Sequence, residues 1–151
     1  MQVRQVAKRR WLLVLDRGEE LVGTVTGFLE EKGVLGGHVS GLGALRNTTV
    51  GYFDVEKQEY VKRTFEESME LGNLVGTVGS ADGKPLLHAH VTLSGPELIA
   101  FAGHLVKGEV SVTAELLVTN FEQDLPREED EDIGLKLFAL EPREKGGEAA
   151  E

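Results

Sequence analysis

The sequence predicts an α+β fold: a single domain with a mostly antiparallel β-sheet and one main amphipathic helix packed on it. Two observations support this prediction. Residues 18–32 place their apolar side chains at helical spacing, and the rest of the chain contains β-favouring runs separated by short turns. The 151 residues are enough for one domain with its own core.

The helix is predicted over residues 18–32, after a short apolar strand at residues 11–15. Its apolar residues recur every three or four positions, which places them on one helical face: Leu21, Val22, Val25, Phe28 and Leu29. Asp16 offers an N-cap, and Gly33 is placed as the C-terminal cap. No other segment shows a comparable pattern, so one main helix is expected.

The other strands are predicted from apolar and β-branched runs between turn residues. Turns are expected at residues 54–58, 81–84 and 94–97, and an acidic loop at residues 122–132. The strands then fall near residues 34–39, 50–55, 60–65, 73–79, 86–93, 98–106, 109–119 and 135–140. A total of about seven to nine strands with short connections indicates an antiparallel arrangement.

Charge and composition exclude several classes of function. The net charge is −10, from 26 acidic and 16 basic residues, and a chain this acidic is a poor ligand for DNA. Residues 1–10 are locally basic, although solvated termini are the simpler interpretation. The absence of cysteine removes disulfides, thiolate metal sites and cysteine nucleophiles. No apolar run approaches the roughly 20 residues that span a bilayer, so no membrane association and a cytoplasmic location are expected.

Three of the four histidines lie close together in the sequence, at His88, His90 and His104. His88 and His90 are two residues apart in a strand, so their imidazoles project from the same face. If the next connection is a three-residue loop at residues 95–97, His88 lies opposite His104 and all three rings share that face. A loop of even length would turn His104 to the other side.

Three neutral imidazoles at one point would bind a divalent metal, with Zn²⁺ suited best and Fe²⁺, Ni²⁺ or Mn²⁺ as alternatives. Such a site leaves one coordination position open for water, substrate or a carboxylate. The competing interpretation is a half-buried His-x-His pair satisfied by backbone carbonyls. Glu115 is the best candidate for an acidic partner, as a base, as a fourth ligand or as a simple exposed charge. His38 is expected to be structural or at the surface.

The segment GLGALR at residues 41–46 is not a dinucleotide-binding fingerprint. It lacks the third glycine, and β-favouring residues rather than a helix follow it. The glycines instead indicate a sharp bend or a close approach between strands. Arg46 and Asn47 are candidates for contact with an anion or a partner, and an interface or turn role is equally open.

Three segments together resemble the plants-and-prokaryotes-conserved (PPC) domain: GLGALRNTTVGYFD from residue 41, KPLLHAH from residue 84 and AGHLV from residue 102. The resemblance covers residues 5–140, and residues 141–151 are expected to form a disordered acidic tail. It implies an α+β fold and a homotrimer. In that family the histidines of the H-x-H and G-H-L motifs can gather a metal, and they match His88, His90 and His104.

The resemblance implies less about activity. Plant members combine the domain with AT-hook motifs and use it for assembly and protein contacts, while stand-alone prokaryotic members often carry a provisional DNA-binding label. The AT-hook core Arg-Gly-Arg-Pro is absent here, which agrees with the acidic charge in arguing against direct DNA binding.

Two functions are therefore expected. The first is a metal-binding homotrimeric interaction module with a regulatory role, whose partners are itself and other proteins. The alternative is a metal-dependent enzyme of unknown substrate that holds and acidifies a water molecule at the open coordination position.

Overall fold

The computed structural model of the protein describes residues 1–141, which contain one α-helix and nine β-strands. The elements are β1 (Gln2–Ala7), β2 (Arg10–Asp16), α1 (Leu21–Lys32), β3 (Gly37–Asp54), β4 (Glu59–Phe65), β5 (Met69–Ala81), β6 (Lys84–Ser94), β7 (Ala100–Asn120), β8 (Arg127–Asp130) and β9 (Leu135–Phe138). All of these strands pair antiparallel, which confirms the predicted α+β class. The tail predicted at residues 141–151 lies, apart from Glu141, outside the described residues.

Seven strands form one sheet in the order β1-β2-β7-β6-β5-β3-β4, and β3 also pairs with β7. The strands β7, β6, β5 and β3 therefore form a closed ring, while β1 and β4 lie at the edges. The length of β7 makes this closure possible, because its first residues pair with β6 and its later residues lie between β2 and β3. β8 and β9 pair separately.

The helix begins later than predicted and is capped by a different residue. It starts at Leu21, and the Glu20 side chain accepts hydrogen bonds from two backbone N–H groups of the first turn, at 3.2 and 2.6 Å. The predicted N-cap, Asp16, is instead the last residue of β2, and its carboxylate accepts a hydrogen bond from the N-terminal amine at 2.7 Å. Gly33 adopts the left-handed conformation, with φ of 62°, and ends the helix as predicted.

The helix packs against β6 and β7 and closes the core. Its apolar stripe buries four side chains: Leu21, Val25, Phe28 and Leu29. Trp11 of β2 meets Phe28 edge-on, with ring centroids 5.8 Å apart. Full burial of a side chain of this size stabilises the fold by roughly 1.5–3 kcal/mol, so the stripe is what fixes the helix on the sheet. No helix within residues 1–141 is long and apolar enough to cross a membrane.

Predicted strands merge at two places. The segments expected at residues 98–106 and 109–119 form the single strand β7. Those expected near residues 34–39 and 50–55 belong to the single strand β3, which runs unbroken from Gly37 to Asp54. Lys107 and Gly108 have the composition of a break, yet Lys107 pairs with Thr49 of β3 across an irregular register. Pairing with β3 therefore overrides the local sequence.

Two strands were not predicted. All six side chains of β1 are exposed, so no buried apolar face marks it, and among residues 1–141 it pairs only with β2. β8 lies within the segment expected to be an acidic loop, and of its four residues only Arg127 is buried. Both strands depend on a partner strand rather than on their own composition.

Candidate metal centre

β6 carries two of the three histidines on the side of the sheet that faces away from the core. Ala89 and Val91 are buried, with 3% and 2% exposure, so the alternating His88 and His90 point the other way. His88 is half-buried and His90 is exposed.

The third histidine arrives from β7, in a register that differs from the expected one by two residues. His90, rather than His88, is the direct partner of His104, because the connection between the strands spans residues 95–99 instead of 95–97. The longer loop still has an odd number of residues. The three imidazoles therefore share one face, as expected, although the predicted pairing of His88 with His104 is wrong.

The three rings converge closely. Ligand nitrogens of His88, His90 and His104 all lie within 4.8 Å of one another. Ring centroids are 5.1–5.7 Å apart. Zn–N bonds of about 2.0–2.1 Å in tetrahedral geometry place ligand nitrogens roughly 3.4 Å apart, so small ring rotations suffice to reach a metal.

A polar atom without a partner supports this reading of the cluster. Nδ1 of His104 is buried and has no hydrogen-bond partner among the described residues. A buried polar atom of this kind costs about 1–3 kcal/mol unless something satisfies it. The other potential metal-ligand atoms in the group are also imidazole nitrogens. A divalent metal that prefers nitrogen ligands therefore fits the residues present.

The electrostatic environment favours the neutral form of two of the three imidazoles. Burial lowers the pKa of His88 to about 4, and the charges of His104, Arg127 and His90 act in the same direction. Burial, followed by the charge of His90, also lowers the pKa of His104. Both imidazoles are therefore unprotonated at neutral pH, which is the form that binds a metal.

No carboxylate of the described residues belongs to the histidine group. Glu115, the candidate acidic partner, is exposed and pairs with Val14 of β2 and Leu42 of β3. It therefore fits the simple exposed charge among the three expected roles. His38 is half-buried opposite Thr77 of β5 and lies outside the group.

Arg46 and Asn47 also lie outside the histidine group, and both side chains contact Glu109 of β7. Arg46 forms an ion pair with Glu109, and the Asn47 side-chain amide donates to the same carboxylate at 3.2 Å. Asn47 has a φ of 48° and lies in β3 where the register with β7 is irregular, and asparagine adopts positive φ more readily than most residues.

Two residues beside the cluster were missed by the sequence analysis. Tyr60 of β4 lies against His104, with ring centroids 5.0 Å apart. Arg127 of β8 contacts Thr77, the cross-strand partner of His88, and its Nη2 donates to Thr77 Oγ1 at 2.9 Å. Neither is near the histidines in sequence, and Arg127 is followed by an acidic run, so only the tertiary contacts reveal them.

The family model for the Plants and Prokaryotes Conserved (PCC) domain matches residues 3–122 of the chain. This domain is the same as the PPC domain that the sequence motifs resemble. The match spans the helix, the seven-stranded sheet and all three histidines. The protein belongs to this family. A comparison with curated proteins gives no significant match.

Solved structures from archaea and bacteria share the fold. A PPC protein of Pyrococcus horikoshii is 34% identical, with a TM-score of 0.81 over 94% of this chain and 96% of that one. A protein of Archaeoglobus fulgidus described as metal-containing is 36% identical, with a TM-score of 0.80 over 91% and 98%. A "putative dna binding protein" of Bacteroides thetaiotaomicron is 28% identical, with a TM-score of 0.88 over 91% and 95%.

Proposed function

We propose that this protein is a metal-binding, homotrimeric interaction module that holds one divalent cation per chain at His88, His90 and His104. The observation that carries the proposal is the convergence of three imidazoles whose ligand atoms lie within 4.8 Å of one another. One of these imidazoles has a buried nitrogen without a partner in the part of the chain that the structure describes. The metal-containing description of the Archaeoglobus fulgidus relative supports it. Zn²⁺ is the proposed ion because neutral imidazoles are among its preferred ligands.

The homotrimer is supported by the edges of the sheet. Within residues 1–141, β1 and β4 each pair on one side only, and unpaired strand edges favour contact with another chain. Tyr52 and Val61, which lie opposite each other on β3 and β4, are 71% and 53% exposed. Burial of such side chains between copies would stabilise an assembly. Light scattering on the purified protein is expected to give the mass of three chains, and a stable monomer would contradict this.

The alternative function is a metal-dependent enzyme of unknown substrate. The observation that favours it is the exposure of His90, which leaves the side of the cluster away from the core accessible. A divalent cation held there would supply Lewis-acid chemistry to a bound ligand. The lack of a carboxylate in the group leaves this candidate without a general base from the described residues.

Metal content tests the proposal. Protein purified without chelators, or reconstituted with Zn²⁺, is expected to hold about one metal per chain by elemental analysis, as a three-histidine site predicts. The His88→Ala, His90→Ala double variant is expected to hold almost none, because one remaining imidazole is a weak ligand. His38→Ala is the matched control, since His38 lies outside the group, and it is expected to keep its metal. Equal metal content in the wild type and the double variant would disprove the proposal.

A further inference from the structure

A buried arginine lies beside the histidine cluster. Arg127 is only 8% exposed, and its guanidinium lies over the Phe138 ring at 3.8 Å. Nη1 donates to the backbone carbonyl of Lys136 at 3.2 Å, and Nη2 donates to Thr77 Oγ1 at 2.9 Å. Nε is buried and has no hydrogen-bond partner among the described residues.

These contacts leave the guanidinium charge poorly compensated. Both hydrogen-bond acceptors are neutral oxygens, and burial lowers the pKa of Arg127. A buried charge is costly unless an opposite charge or several hydrogen bonds offset it. The fold therefore keeps a desolvated cation whose hydrogen-bonding capacity is only partly used.

The arginine contacts the strand that lies next to the candidate metal centre. Thr77, which accepts from Nη2, is the direct cross-strand partner of His88 in the pairing of β5 with β6. Side chains of such a pair lie on the same face, with Cβ atoms about 4.5–5.5 Å apart. Arg127 is also one of the charged groups that lower the pKa of His88. The guanidinium and the imidazoles therefore border the same part of the surface.

A loaded centre would carry an excess of positive charge. The divalent cation would bring two charges to three neutral imidazoles, Arg127 adds a third, and no carboxylate of residues 1–141 belongs to the histidine group. We propose that the open side of the loaded centre binds an anionic oxygen ligand, a carboxylate or a small inorganic oxyanion, which pairs with Arg127. This inference rests on the proposed metal function and names the class of ligand that the centre takes.

An oxyanion fits both partners chemically. The guanidinium presents several N–H donors in a planar fork that matches a carboxylate or phosphate group. Zn²⁺ accepts oxygen ligands as well as imidazole nitrogens. Thr77 and the Lys136 carbonyl each accept from one arm of the fork, and Nε has no acceptor among the described residues. A lysine at position 127 would supply the positive charge but not the planar set of N–H donors.

Anion binding to Co²⁺-loaded protein tests the inference, because the visible spectrum of Co²⁺ reports a change of ligand. Acetate and phosphate are the two probes, and they distinguish a carboxylate from an inorganic oxyanion. Arg127→Gln is expected to bind the preferred probe about tenfold more weakly than the wild type, with Arg127→Lys between them, as the loss of a charge-assisted pair predicts. Arg63→Gln is the matched control, since Arg63 is an exposed arginine stacked on Phe65, and it is expected to match the wild type.

Metal content is measured on every sample, so the two proposals fail in different ways. If the wild type loads Co²⁺ but neither probe changes its spectrum, or if Arg127→Gln binds the probes as the wild type does, the anion site is disproved and the metal centre stands. If the wild type does not load, both fall. Should Arg127→Gln not fold, Thr77→Val removes the acceptor of Nη2 at an exposed position and is expected to weaken anion binding about threefold. Unchanged binding in that variant would overturn the proposal.

Discussion

His104 has a cross-strand neighbour on each side and an aromatic ring against it. On one side it pairs with His90, and on the other it lies opposite Gly51 of β3. Tyr60 covers it from the edge strand β4, and the absence of a side chain at Gly51 makes this possible, because a Cβ there would come within 2.8 Å of the tyrosine ring. The tyrosine therefore restricts the orientation of the imidazole.

We predict that Tyr60→Ala weakens metal binding about two- to tenfold, because an aromatic contact of this kind contributes roughly 0.5–1.5 kcal/mol to the preferred ring orientation. Tyr60→Phe keeps the ring and is expected to bind as the wild type does. Metal affinity is measured by competition with a chelating dye. Val55→Ala, at an exposed position in the turn between β3 and β4, is the control that separates a local effect from a general loosening of the hairpin. Equal affinity in Tyr60→Ala and the wild type would show that Tyr60 is only a packing residue.

At the scale of elements, the close approach of β3 to β7 determines the architecture. A Cβ at Gly41 would overlap the carbonyl oxygen of Glu115, and Gly43, with a φ of 155°, sits at a break in register. These glycines therefore permit two backbones to approach and β3 to bend. This confirms the interpretation of the GLGALR segment as a bend or close approach rather than a cofactor loop.

The same substitution is expected to have opposite effects at two glycines. Gly41→Ala should lower the free energy of unfolding by about 1–3 kcal/mol, because the added methyl group forces the two backbones apart. Gly27→Ala should raise it by roughly 0.5–1 kcal/mol, since Gly27 lies on the exposed side of α1 with nothing within 4 Å of its added Cβ. Chemical denaturation measures both. Similar stability in Gly41→Ala and the wild type would contradict the close approach.

For the molecule as a whole, charge distribution opposes a nucleic-acid function. The net charge of −10 repels a phosphate backbone, and assembly of three copies would multiply it. The basic residues near the N-terminus lie on or beside β1 and β2, where Arg9 already forms an ion pair with Glu122. One of the few local sources of positive charge is thus partly neutralised within the chain.

We predict weak, sequence-independent binding to duplex DNA that disappears with rising salt, because only Arg4, Lys8, Arg9 and Arg10 form a basic run at the N-terminus. A mobility-shift series at near-physiological salt measures this, with a variant lacking residues 1–10 as the comparison. A sequence-specific complex at submicromolar concentration would contradict the prediction. Its loss in the shortened variant would assign the contact to the basic run.

The sequence alone was enough to predict the α+β class, the main helix with its glycine cap, and His88 and His90 on one face of the sheet, whereas the face of His104 depended on the length of a loop. Each of these follows from local periodicity: three to four residues for the helix and two for the strand that carries His88 and His90. The resemblance to the PPC domain also followed from local motifs, and the family match confirms it.

Only the tertiary structure decided that His90 is the partner of His104 and that β7 is one unbroken strand. It also placed Tyr60 and Arg127 beside the cluster. The pairing of His104 with His90 depends on the length of the loop at residues 95–99, and many turns of similar composition differ by two residues. Arg127 belongs to a strand whose composition indicates a loop, and its place beside Thr77 arises from contacts between segments far apart in the chain. Such contacts depend on packing energies summed over the whole domain, so local sequence patterns do not contain them.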